Sequence, residues 1–186
     1  MEDMGYETKD NTKAFLNYSP YYMYHQVQVA TVCDILQQAY EQGVSNWYVD
    51  EILNEKEAYL EEASNRPDAV LIFKHKDRTK TSAVLVYLEL ERSYPKQERL
   101  ERKIRAYNRL VNEELYANAL SLTVIDHRVL FVSKVRNDRQ LLIRKIQEYK
   151  GKIDFNLLVA GYENVTKEPL NDIYEMPLHV EETYKL

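Results

Sequence analysis

Arg66-Pro67-Asp68-Ala69-Val70-Leu71-Ile72-Phe73 is followed, beyond the charged, turn-like residues 75–81, by Thr81-Ser82-Ala83-Val84-Leu85-Val86-Tyr87-Leu88-Glu89-Leu90-Glu91. The first run is short, apolar and of strand character, and the second is rich in branched residues. Lying so close together, they predict two strands paired antiparallel. Immediately after them the period changes. Ser93-Tyr94-Pro95 breaks the strand, and residues 96–116 read as the clearest helix of the chain, with Leu100, Ile104, Tyr107 and Val111 on one face. On its other side, Glu98/Arg102 and Glu101/Arg105 are Glu-to-Arg pairs four residues apart.

Working outward, Ser19-Pro20 reads as a helix start, with Ser at the N-cap and Pro at the first helical position. Val29, Val32, Cys33, Leu36 and Tyr40 form one apolar stripe, and Gly43 stops the helix, which is expected over about 20–42. Trp47 to Val49 suggests a short strand, and Glu51 to Ala63 an acidic segment with a weaker helical pattern. Downstream, residues 120–125 and 129–132 are strand-like around Asp126-His127-Arg128. Residues 137–149 are helical, with Leu141, Leu142, Ile146 and Tyr149 inward and Gly151 ending the helix. Asp154 to Ala160 is a last apolar strand. Helix, three strands, helix, strand, helix, strand is an α/β order with a mixed central sheet flanked by helices.

The chain has 186 residues, 45% apolar and 30% charged, with four Gly and five Pro. That composition is globular, and the length suits one domain. Residues 1–18 are expected to be a flexible lead-in, 19–161 the α/β domain and 162–186 a C-terminal extension without strong period. The longest strongly apolar run, Ala83 to Leu88, is far below the ~20 residues of a membrane-spanning helix. No basic-then-apolar start suggests a signal peptide, and the single Cys33 excludes an internal disulfide. The expected location is the cytoplasm.

A net charge of −5 hides a pattern. Residues 1–91 carry 8 Lys/Arg against 16 Asp/Glu, residues 92–145 carry 13 against 6, and residues 146–186 carry 4 against 8. A basic middle can hold a phosphate-binding face, or it can pair with the acidic ends within the fold. The four isolated glycines cannot make a phosphate-cradling loop. His25, His75, His127 and His179 are too scattered for a histidine-based metal site. Tyr21, Tyr22 and Tyr24 beside His25 invite comparison with a DNA-nicking tyrosine, but that chemistry needs a His cluster. Packing on the first helix is the expectation for them.

A carboxylate set remains. Glu89 and Glu91 are two apart on a strand and so face the same side. Pairing of the two strands lets Asp68 approach them at one end of the sheet. Three carboxylates meeting there would hold Mg²⁺ through hard oxygen ligands, and such a metal activates water for phosphodiester displacement. The helix that follows carries Lys96, Arg99, Arg102, Lys103, Arg105 and Arg109, which with Arg92 could hold phosphates. In the bland alternative, Pro67-Asp68 is a turn pair, and Glu89 and Glu91 face water or pair with Arg92 or Arg99.

Arg66-Pro67-Asp68-Ala69, Leu88-Glu89-Leu90-Glu91-Arg92-Ser93 and Arg99-Leu100-Glu101-Arg102-Lys103-Ile104-Arg105-Ala106-Tyr107 resemble the replication-relaxation family. His25 with Val27 and Val29, and Val129-Leu130-Phe131-Val132 with the Arg-containing helix after it, fit the same pattern. The resemblance spans roughly residues 25–160 as many weak matches in the right order. These are bacterial plasmid and mobile-element proteins, linked to plasmid replication and to DNA relaxation in conjugative mobilisation. The resemblance implies a core similar to the PD-(D/E)XK nuclease fold, an αβββαβ unit with an added C-terminal helix and strand. It maps Asp68 and Glu89 onto the first two motif positions. The motif lysine falls on Glu91, a departure that also occurs within the nuclease fold, and Lys103 could supply the cation from a migrated position. Family members usually carry a winged-helix part ahead of this region, and only about 20 residues precede the first helix here. DNA contact is therefore expected from residues 92–145.

Three functions are compatible with these readings. The first is a non-cleaving accessory protein of the relaxosome or of plasmid replication that binds DNA, a relaxase, or both. The second is an endonuclease dependent on Mg²⁺, with Asp68, Glu89 and Glu91 as ligands and Glu91 or Lys103 handling the water. The third is an interaction or homodimerisation module, to which 16 tyrosines would be suited.

Overall fold

A computed structural model describes residues 19–63, 66–92, 96–178 and 183–184. The expected lead-in over 1–18, the Ser93-Tyr94-Pro95 break and His179 lie outside them. The described elements run α1 (Pro20–Gln42), β1 (Trp47–Asn54), β2 (Ala69–His75), β3 (Ser82–Glu91), α2 (Gln97–Asn112), α3 (Leu115–Ala119), β4 (Thr123–Ser133), α4 (Arg136–Glu148), β5 (Asn156–Gly161), α5 (Tyr162–Lys167), β6 (Tyr174–Glu175) and β7 (Thr183–Tyr184).

The strands form one mixed sheet in sequence order, β1 to β7. The β1–β2 and β2–β3 pairs are antiparallel. The β3–β4 and β4–β5 pairs are parallel, with α2–α3 and α4 as their crossovers. Helices cover both faces, so the central strands are apolar on both sides rather than alternating. Nine of the ten residues of β3 are buried. Side-chain alternation splits the interior in two. Val29, Val32, Leu36 and Tyr40 of α1 pack with Leu71, Val86, Leu88 and Leu130 on one face. Leu100, Ile104 and Tyr107 of α2, with Leu142 and Ile146 of α4, pack with Val70, Leu85, Tyr87 and Phe131 on the other.

The first helix begins as its sequence indicates. The Ser19 side chain accepts the Tyr22 N–H, Pro20 opens the helix, and the Gly43 N–H returns to the Ala39 carbonyl. Two expectations are corrected. The acidic segment from Glu51 is strand as far as Asn54, not helix. Pairing with β2 overrides its weak period, and a register shift between Val49 and Glu51 absorbs the irregularity. The helix over 96–116 ends at Asn112, because Glu114 takes a left-handed conformation (φ 50°) that turns the chain into α3. The tail after Gly161 forms α5, β6 and β7. Val165 and Tyr174 are buried in the same interior as α1, so this extension shares the core of the domain. Among the described residues no helix is long and apolar enough to cross a membrane.

Candidate functional site

The α2 face of the sheet carries Glu89 and Glu91 by the same alternation that points Leu85 and Tyr87 there. Both glutamates are almost wholly buried, at 3% and 6% exposure. Isolated charges do not survive such burial, so the partners decide what the site is. Lys103, on the inward side of α2, places its Nζ 2.6 Å from Glu89 Oε2 and 2.6 Å from Glu91 Oε1. One turn further along the same helix, the Tyr107 hydroxyl donates to Glu89 Oε1 at 2.7 Å.

Asp68, at the foot of β2, joins the cluster from the neighbouring strand. Its Oδ2 accepts the Leu90 N–H at 2.7 Å, which ties it to the residue between the two glutamates. Its Oδ1 lies 3.1 Å from His25 Nε2. His25 continues the apolar stripe of α1 by one turn toward the N-terminus, and so meets Asp68 at the end of the strands. Together His25, Asp68, Glu89, Glu91 and Lys103 line a cleft of about 490 Å³, with Arg66, Arg99 and Arg102 exposed along it.

Burial pushes the Glu89 carboxyl above its usual range, and the Lys103 ammonium pulls it partly back. At Lys103, burial works against the charge, but Glu89 and Glu91 together override it and raise its pKa. The hydrogen bond to Asp68 raises the His25 pKa, with burial opposing.

The expected metal set, Asp68, Glu89 and Glu91, is thus brought into one cleft, but as a carboxylate–ammonium cluster. Lys103 takes one oxygen of each glutamate and fills the position between them that a divalent cation would need. Among the described residues no group of three or more His, Cys, Asp or Glu side chains is arranged to hold a metal ion. A divalent cation held by Glu89 and Glu91 would have to displace the Lys103 ammonium from both.

The basic residues expected to face DNA are divided. Arg99 and Arg102 line the cleft, and Lys96 is exposed at the start of α2. Arg105 pairs with Glu101 at 3.5 Å, as the four-residue spacing indicates, and Arg109 with Glu113 at 2.9 Å. Lys103 is turned inward. Arg92 lies over the rings of Tyr21 and Tyr24. The expectation that Tyr21, Tyr22 and Tyr24 all pack on the first helix is corrected. Tyr22 bonds Glu55, whereas Tyr21 and Tyr24 are 65% and 49% exposed, because the first turn of α1 projects past the buried stripe.

Sequence reading singled out Asp68, Glu89, Glu91 and Lys103 but not Tyr107, Arg66 or His25 as site residues. Signals existed for two of these. Tyr107 stands four residues after Lys103, and His25 four before Val29. Arg66 carried no such signal. In comparison with known proteins, no family model, curated protein or solved structure matches the chain.

Proposed function

We propose that this chain is a DNA-binding accessory protein on a nuclease-like α/β core, acting in plasmid or mobile-element mobilisation or replication with a relaxase as partner. The observation that carries it is the cleft in which Arg66, Arg99 and Arg102 surround a carboxylate floor that Lys103 partly compensates. Arginine forks match phosphate oxygens in pairs, and two of these three project from one helix face. Lys103 offsets the glutamates beneath, so the floor does not repel a bound strand as three bare carboxylates would. The same ammonium supports binding without cleavage. The order helix, three strands, helix, strand supports the nuclease-like core, and the resemblance to replication-relaxation proteins supplies the setting.

The test is the affinity of a labelled duplex, read by fluorescence anisotropy across a salt series. Binding falls steeply with salt, and Arg99→Ala/Arg102→Ala weakens it and flattens the log–log slope by about one unit per lost phosphate contact. Supercoiled plasmid stays intact with Mg²⁺ or Mn²⁺. Indifference to DNA at every salt concentration overturns the proposal.

A second reading, a metal-dependent endonuclease, is favoured by one observation: Asp68, Glu89, Glu91 and Lys103 line the same cleft. Nicking of that plasmid with either metal, abolished by Asp68→Ala or Glu89→Ala, would replace the first reading with this one.

A further inference from the structure

Outside the cleft, one cluster combines exposed rings with cations. Arg92 lies 3.5 Å from the ring centre of Tyr21 and 5.3 Å from that of Tyr24. Lys134 lies 4.6 Å from the Tyr24 ring centre and donates to the Tyr24 hydroxyl at 2.9 Å. Both cations fall within the ~6 Å over which an aromatic face attracts positive charge. The Arg92 guanidinium also donates to the Tyr21 carbonyl at 2.7 Å, which holds the side chain in place.

The cluster adjoins the cleft along three elements. Tyr24 precedes His25 on α1. Arg92 follows Glu91 at the end of β3. Lys134 follows Ser133, which pairs with Glu91 in the sheet, and the Lys134 N–H donates to the Glu91 carbonyl at 3.3 Å. Each element thus contributes one residue near the cleft and an adjacent residue to the ring cluster.

We infer that Tyr21 and Tyr24, held by Arg92 and Lys134, form a stacking platform for the unpaired bases of single-stranded nucleic acid whose backbone lies along the neighbouring cleft. The chemistry left open selects this occupant. The two cations are already engaged with the rings, so an acidic peptide would find them partly satisfied. Tyr21 and Tyr24 remain 65% and 49% exposed with the cations lying over their rings, so aromatic surface, more than free charge, is what the cluster offers. A duplex hides its base faces in the stack, whereas a single strand presents them, and aromatic stacking beside a basic groove is how proteins hold single strands without reading sequence. The lowered pKa of the Tyr24 hydroxyl, caused first by the Lys134 hydrogen bond, agrees with a cation fixed beside that ring.

This inference rests on the DNA-binding reading above, and one experiment separates the two. The full chain is titrated into a fluorescein-labelled 20-nucleotide single strand, the matching duplex, and an abasic strand of equal length. Wild type, Tyr21→Ala/Tyr24→Ala and Tyr21→Phe/Tyr24→Phe are compared, with circular dichroism confirming the fold. The alanine pair is expected to lose at least about tenfold in affinity for the single strand, with an unchanged salt slope. The phenylalanine pair stays within about threefold of wild type, and duplex and abasic affinities do not respond to either change. Duplex binding with no effect of the alanine pair on the single strand overturns the platform and leaves the DNA-binding reading standing. Failure to bind any of the three ligands overturns both.

Discussion

At the scale of single residues, Lys103 settles the character of the site. A buried ammonium between two buried carboxylates is worth most when all three are present, and removing one member leaves uncompensated charge. Lys103→Met is therefore expected to cost about 3–5 kcal/mol in urea unfolding. Adding Glu89→Gln restores part of that loss, so the double mutant is more stable than the two single losses sum to. Additivity within error would mean that the two side chains do not interact. His25 carries a second expectation. Its pKa is raised in the fold by the Asp68 hydrogen bond. The stabilisation is complete below the unfolded value of about 6.5 and is lost as pH rises through the raised folded value. The margin in Tm of wild type over His25→Gln should be largest near pH 5.5–6 and should shrink steadily toward pH 9. A margin that is flat or grows with pH contradicts this assignment.

Among the elements, α2 shows how one helix serves two surfaces. Leu100, Ile104 and Tyr107 bind it to the sheet, Lys103 on the same inward side enters the cluster, and Arg99 and Arg102 edge the cleft. Its end is set by backbone geometry. Glu114 sits at φ 50°, a region that costs an ordinary residue about 1–2 kcal/mol and glycine almost nothing. Glu114→Gly is expected to raise stability by up to about 1 kcal/mol, the gain being limited by the greater freedom of glycine in the unfolded chain. A drop in Tm on this substitution would show that the side chain contributes more than the strain costs. The strand β1 carries the opposite lesson. Its acidic residues read as a weak helix in isolation, yet the ladder with β2 holds them extended.

For the whole molecule, the described strands carry an apolar layer on each face of the sheet, and the tail helps to close the layer that α1 covers. Tyr174 is fully buried, lies in the same interior as α1, and bonds the Pro169 carbonyl at 2.9 Å. Tyr174→Ala removes an aromatic side chain from this core, for which about 3–5 kcal/mol is the usual cost. The change should lower the single thermal transition of the whole protein. A main transition that stays in place while a minor one appears would mark residues 162–186 as a separate unit.

Much of this molecule follows from local pattern. Ser19-Pro20 and the stripe from Val29 to Tyr40 determined the first helix. The apolar runs at 69–73 and 83–88 determined the central hairpin, and Leu100, Ile104 and Tyr107 the inward face of α2. Each rests on a cap, a period or a run of branched residues that acts over a few neighbours. The carboxylate cluster was legible only as a possibility, since the two-residue spacing put Glu89 and Glu91 on one face but could not say what faced them. Tertiary structure alone decided that Lys103 and Tyr107 come down onto those glutamates, and that His25 closes on Asp68 across 43 residues of chain. It also decided that Glu51 to Asn54 is strand, and that the tail packs into the core. All of these depend on partners distant in sequence, and burial of their charged and apolar groups has a favourable free energy only once those partners are in place.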